Sequence, residues 1–270
     1  MPVRRFRVLR SILLAAGLTV LAGCGAELYQ QRLENTKKLF AHLEQLNANL
    51  HQYWGDPQTG TRLRLPLQFA MIPPPAPPKP AEDGTPAEPE VVVDERQPKY
   101  LNIELPGLRG AFFARMSLVD PGAASVEPYG FIYVLSNHHL YDAPDKAREF
   151  HVDLVSSLSE TLRTGVKPDD WHDEKYPLRV GTFADTVRFK SVVMSPAETI
   201  GGLERQFSVY MFDQGDIRVA ILFVLPKDVN NSTEKLNDRI PLCLETLRVT
   251  GEKLLAPNVA PAGAGAGTSF

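Results

Sequence analysis

Two cysteines in 270 residues are too few for a disulfide framework or for a thiolate zinc site of four ligands. No uncharged apolar run reaches the roughly 20 residues that a permanent membrane span needs. The best of them, Ser11 to Gly23, has the length of a signal-peptide core. Positive charge is also in short supply. The formal net charge is −3, which argues against nonspecific nucleic-acid binding. Motifs for known chemistries are missing as well. The chain holds no GxSxG elbow, no HExxH and no P-loop. Gly263, Gly265 and Gly267 neither follow a strand pattern nor open a helix, so they form no phosphate cradle. Catalytic, cofactor and metal residues are therefore all read as none.

What is present begins at the N-terminus. Arg4, Arg5, Arg7 and Arg10 form a basic segment, the apolar run follows, and "LTVLAGCG" closes it. Leu21-Ala22-Gly23-Cys24 resembles a bacterial lipobox. That resemblance implies removal of residues 1–23 as a signal peptide, with Cys24 left as the first residue and acylated through its sulfur. The Arg4-Arg5 pair also raises twin-arginine export, which Phe6-Arg7-Val8-Leu9 matches poorly. Without residues 1–23 the 29 basic residues fall to 25 against 32 acidic ones, a net of −7. Membrane affinity would then come from the acyl chains on Cys24 and not from a basic patch. Gly25 stands where an inner-membrane retention signal usually places Asp, which favours the outer membrane in a two-membrane cell. If Cys24 carries lipid, Cys243 has no disulfide partner; it lies on an apolar stripe and reads as a small core residue.

Residues 24–55 read as an N-terminal helix, with Tyr29, Leu33, Leu39, Phe40, Leu43, Leu46, Leu50 and Tyr53 at threes and fours. Self-packing is favoured over a coiled-coil stalk. A single domain is expected over 61–250. In it, Thr61 to Ile72 alternates as one strand, and Pro66 marks that strand as an edge. A proline-rich and acidic insertion, 73–98, reads as an extended, disordered loop. Within it Pro74-Ala76-Pro77-Lys79 loosely fits a PxxPxK ligand. Strands follow at Ala111–Val119 and Tyr129–Leu135, then a helix over Asp142–Thr164 capped by Asp142 and closed by Gly165. Strands over Thr186–Met194, Arg205–Phe212 and Asp216–Leu225 come next, the last two joined at Gln214-Gly215. Asn231 and Glu234 open a final helix that Pro241 should kink or split. Residues 256–270 have no periodicity and read as a disordered tail, ending in a Thr-Ser-Phe that a PDZ-type groove can take.

This order predicts an α+β fold: an antiparallel β-sheet with helices packed on its faces, preceded by the N-terminal helix. "LRLPLQF", "RQFSVYMFDQGDIRVAILFVLP" and "EKLNDRIPLCLETLRV" are similar to the PsbP-like, DcrB-like α-β-α sandwich. The insertion and Pro241 depart from that pattern. The resemblance implies a binding or assembly module with an envelope protein as partner and no cofactor. Such a lipoprotein faces the extracytoplasmic space. Two other readings stay open: an envelope hydrolase or metal-dependent enzyme, and a carrier of small apolar ligands. The polar candidates for them are His138-His139 and "DDWHDE", Asp169 to Glu174, which includes Trp171. His42 and His151 have no second histidine four residues away.

Overall fold

The computed structural model describes residues 27–76, 93–120, 122, 126–178 and 185–256. Cys24, the signal segment, the middle of the proline-rich insertion and the C-terminal tail lie outside the described residues. The chain divides into two compact units, Met1–Ala48 with Arg179–Asp185, and Asn49–Leu178 with Thr186–Phe270.

Residues 27–49 are helical and form α1; all of them but Asn49 belong to the first unit. Tyr29, Leu33, Phe40 and Leu43 of its apolar stripe are exposed. The predicted helix runs to residue 55, but the chain leaves it after Asn49 and enters strand β1, Leu50–Asp56. Leu50 and Tyr53 therefore belong to a strand. Their three-residue spacing mimics a helix because a bulge between Leu50 and Tyr53 breaks the two-residue alternation.

The second unit is α+β, as the alternating runs predict. Seven antiparallel strands make the main sheet: β3 Ala70–Ile72, β4 Leu108–Arg115, β5 Tyr129–Ser136, β6 Trp171–Tyr176, β7 Val187–Met194, β8 Arg205–Gln214 and β9 Ile217–Pro226. Their order is β3-β4-β5-β9-β8-β7-β6. The β8–β9 hairpin keeps one register from Arg205↔Pro226 to Gln214↔Ile217. Gly215 turns it at φ 57; a Cβ there would sit 2.2 Å from the Glu252 carbonyl oxygen, so only glycine fits. β9 lies inside the sheet, and Val219 through Val224 are buried on both faces.

Helix α2, Pro144–Thr161, covers one face. Ala147, Phe150, Leu154 and Leu158 form its buried stripe, and they share one core with Phe207, Val209, Leu222 and Val224. Each such side chain contributes roughly 1.5–3 kcal/mol by leaving water. The N-cap is Ala143, without a side-chain hydrogen bond, not Asp142. At the other end Arg163, not Gly165, takes the left-handed conformation (φ 51). Proline in the first turn and the buried stripe hold the helix without either signal.

A second, three-stranded sheet is built from β1, then β2 Thr61–Pro66, then β10 Arg248–Val249, ordered β1-β2-β10, and touches the main sheet where Trp54 of β1 meets Phe112 of β4. The predicted single strand Thr61–Ile72 is thus two strands in two sheets. β2 is central and not an edge; Pro66 is tolerated because it ends the strand. β3 is the edge strand. Two short helices follow β9: α3 Asn231–Glu234 and α4 Leu236–Glu245. The helix breaks at Lys235 (φ 53), and Pro241 sits inside α4. Asn230 caps α3 through the Ser232 N–H, while Glu234 accepts from the Ser117 N–H at 2.8 Å instead of closing a capping box. Cys243 is fully buried in α4 as a core residue, and burial pushes its thiol pKa up.

Glu245, at the end of α4, is 4% exposed. Burial pushes its carboxyl up to about 7, against the lowering effect of Arg248. A folded-state pKa above the unfolded one gives stability that is present at low pH and lost as pH rises through about 7. Glu245→Gln should remove that loss. Urea midpoints at pH 5 and pH 8 should show the variant gaining at pH 8 by ~2–3 kcal/mol relative to its difference at pH 5. Equal differences at both pH values would show that Glu245 is already ionised without cost.

Candidate binding groove

Where the two sheets meet, an apolar groove of about 360 Å³ opens. Its floor is Leu65, Phe69 and Phe112, and its walls are Tyr53 and Trp54 of β1 and Met71 of β3. Trp54 stands edge-on to Phe112, with ring centroids 5.7 Å apart and planes at 88°. Gly110 makes room for it: a Cβ there would lie 2.7 Å from Trp54 Cζ2. Tyr53, Leu67 and Met71 are exposed, Met71 by 52%. β1 and β3 are both outermost strands, so among the described residues each has one side without a ladder partner. At the β1 bulge Arg64 of β2 bonds two carbonyls, donating from Nε to His51 O at 2.7 Å and from Nη2 to Leu50 O at 3.2 Å.

The wall is held by a buried polar cluster. Asp56, at the end of β1, receives Arg109 of β4 through Nε at 3.0 Å and Nη2 at 2.8 Å. Thr59 donates to the same carboxylate at 2.7 Å. Burial pushes the Asp56 pKa up, but the hydrogen bonds from Arg109 and Thr59 outweigh it and hold the carboxyl below its ordinary value. This cluster ties the small sheet to the large one. Sequence reading missed it because Asp56 and Arg109 are 53 positions apart.

The histidine pair sits on the 3-10 turn Asn137–Leu140 that follows β5. Ser136 caps this turn by accepting from the His138 N–H. His138 is 3% exposed, and among the described residues its Nε2 has no hydrogen-bond partner. Burial lowers its pKa, with Arg109 adding to the effect. His139 packs edge-on to Phe150 at 6.0 Å. From Trp171 on, "DDWHDE" is edge strand β6, with His172 and Asp173 exposed. Trp171 packs against the main core, and Glu174 accepts from the hydroxyls of Tyr176 and Ser191. Three strands, β9, β8 and β7, separate β5 from β6. At about 4.8 Å per strand the His138-His139 turn and Glu174 are not brought together. Among the described residues no three His, Cys, Asp or Glu side chains group to hold a metal ion. His151 of α2 is structural: its Nε2 lies 3.0 Å from Val219 O, and burial lowers its pKa. Cys24, the second half of the PxxPxK segment (77–79) and the terminal Thr-Ser-Phe are outside the described residues.

The fold and the groove together are those of an α+β domain with an apolar cleft bounded by two free strand edges. No family model and no curated protein matches the chain. A crystal structure of a protein from Bacteroides thetaiotaomicron VPI-5482 is similar at 12% identity and a TM-score of 0.34, over 74% of this chain. The chain spans about half, 49%, of that protein's length. The likeness is too distant to bear on the groove.

Proposed function

We propose that the chain is a membrane-anchored lipoprotein, acylated at Cys24, that presents a non-catalytic binding domain outside the cytoplasm. Its groove takes an extended apolar segment of an envelope protein. The observation that carries this reading is the meeting of two free strand edges over an aromatic floor. An added strand gains main-chain hydrogen bonds from an edge and places alternate side chains in the cleft. Tyr53, Leu67 and Met71 are exposed together at the groove, an apolar surface that a partner can cover. The lipobox resemblance supplies the compartment in which that partner is sought.

The test is site-directed photo-crosslinking in intact envelopes. A crosslinker at Met71 should yield one defined adduct that a crosslinker at Val152, exposed on α2, does not. Tyr53→Asp combined with Met71→Asp should weaken capture at least ten-fold while leaving the urea midpoint nearly unchanged, because both side chains are exposed. The same adducts at Val152 as at Met71, or capture indifferent to the double substitution, would overturn the groove as the binding site.

A further inference from the structure

Every residue of α1 from Glu27 to Ala41 is exposed, and so is Leu43. The helix is nonetheless two-sided. At about 100° per residue, Leu28, Leu39, Leu43, Tyr29, Phe40 and Leu33 fall within one arc of about 140°. Their exposure runs from 36% at Leu39 to 68% at Tyr29. Glu27, Gln31, Glu34, Lys37, Lys38 and Glu44 lie on the rest of the circumference. Two polar residues enter the apolar arc. Thr36 donates its hydroxyl to Arg32 O at 2.8 Å, so it brings no unpaired donor. Arg32 can lay its stem along the arc and keep its guanidinium in water. Leu46 is buried, so the exposed arc ends at Leu43. A helix of this length draws most of its stability from packing its apolar face. Among the described residues nothing covers that face, so another surface must supply the packing.

We propose that α1 lies flat in the membrane interface, with its apolar arc among the lipid acyl chains. The inference rests on the Cys24 anchor proposed above. Cys24 stands three residues before Glu27, so its acyl chains would bring the helix to the bilayer surface. Helices that lie in this way pair a charged face with Leu and Phe on the other, and sink the apolar face about 5–10 Å. Tyr29 suits that depth, with an apolar ring and a polar tip. Glu27, Glu34 and Glu44 cancel Arg32, Lys37 and Lys38. Charge therefore adds no pull, and the helix orients a protein that the acyl chains hold. A second copy fits the arc less well. A two-stranded seam uses a narrower stripe. Copies anchored at the same end would also run parallel, which sets Arg32 against Lys37 of the second copy.

Depth quenching tests this on the full chain, purified from membranes and reconstituted in phosphatidylcholine vesicles that carry bromine on their acyl chains. The fluorophore NBD is attached at Leu33→Cys, Glu34→Cys, Lys38→Cys or Phe40→Cys, in separate proteins. All four positions are exposed, so the fold is kept, and buried Cys243 stays unlabelled. Quenching at positions 33 and 40 should exceed that at 34 and 38 at least three-fold. Adding Phe40→Glu to the protein labelled at position 33 should lower its quenching at least three-fold, while the protein still floats with the vesicles. Equal quenching at the four sites, in protein that floats and has an acylated Cys24, would overturn the helix placement and leave the anchor standing. Disulfide formation between copies of Phe40→Cys, with no quenching at position 40, would do the same and give the arc to a second copy. An N-terminal peptide without acyl chains would overturn the anchor, and the helix placement with it.

Discussion

Arg109→Ala is expected to cost the fold about 3–5 kcal/mol, a large share of the ~5–15 kcal/mol that holds a domain together. The reason lies in what is left behind. The Asp56 side chain is 5% exposed and that of Arg109 23%. Without the guanidinium, Asp56 keeps, among the described residues, Thr59 and the Gln58 N–H as donors to a buried negative charge. The carboxyl then either stays ionised at high cost or takes up a proton. Arg109 Nη2 also donates to Gln58 Oε1 at 2.6 Å, so the loop after β1 loosens too. The damage falls on the joint between the two sheets. Removing both partners should be gentler: Asp56→Ala/Arg109→Ala should be less destabilised than the two single losses combined, by ~1–3 kcal/mol. Urea melts of the four proteins close the cycle. The pH dependence gives a separate readout. A depressed carboxylate pKa contributes stability that is present above the unfolded value of 3.8 and lost as pH falls through the lower folded value. That acid-side loss should shrink in Arg109→Ala. Strict additivity, with an unchanged acid limb, would mean that the pair does no more than fill space.

The parts of this fold that could be read in the sequence are those where a local period matches burial. α2 shows this: Ala147, Phe150, Leu154 and Leu158 recur on one face and all are buried. The β8–β9 hairpin shows it again, with a left-handed glycine between two apolar runs. Misreadings came where the period was interrupted or masked. In β1 the bulge leaves three exposed residues in a row, so no strand pattern survives. β6 is polar along most of its length because an edge strand can afford it, and it reads as a loop. The groove was not legible at all. It draws Trp54 from β1, Phe69 from the turn after β2, Met71 from β3 and Phe112 from β4. No spacing within one element announces a surface built by packing one sheet against another. The nearest local signal was Gly110 in a strand, a position where a large ring approaches the backbone.

Cys24→Ala is expected to have the largest effect on where the protein is found. A thioether-linked diacylglyceryl group carries two acyl chains. At about 0.8 kcal/mol for each buried methylene, one chain holds a protein only marginally and two hold it stably. The acidic remainder, at net −7 without residues 1–23, adds repulsion from an anionic surface and no attraction. Among the described residues no helix is long and apolar enough to cross a membrane, so none of them offers a helical span as a substitute anchor. Wild-type protein should sediment wholly with membranes and leave them only in detergent. The Cys24→Ala protein should carry no acyl chain on its N-terminal peptide and should lose detergent-dependent extraction once its leader is cut. Intact mass of that peptide decides the matter: a diacylated peptide beginning at Cys24 in the wild type, absent from the variant, ties the anchor to this sulfur. A wild-type peptide that is unmodified, or that still begins at Met1, would remove the anchor. The search for the groove's proposed partner would then move out of the envelope, because the gain in effective concentration that a membrane surface would give a shallow groove would be lost.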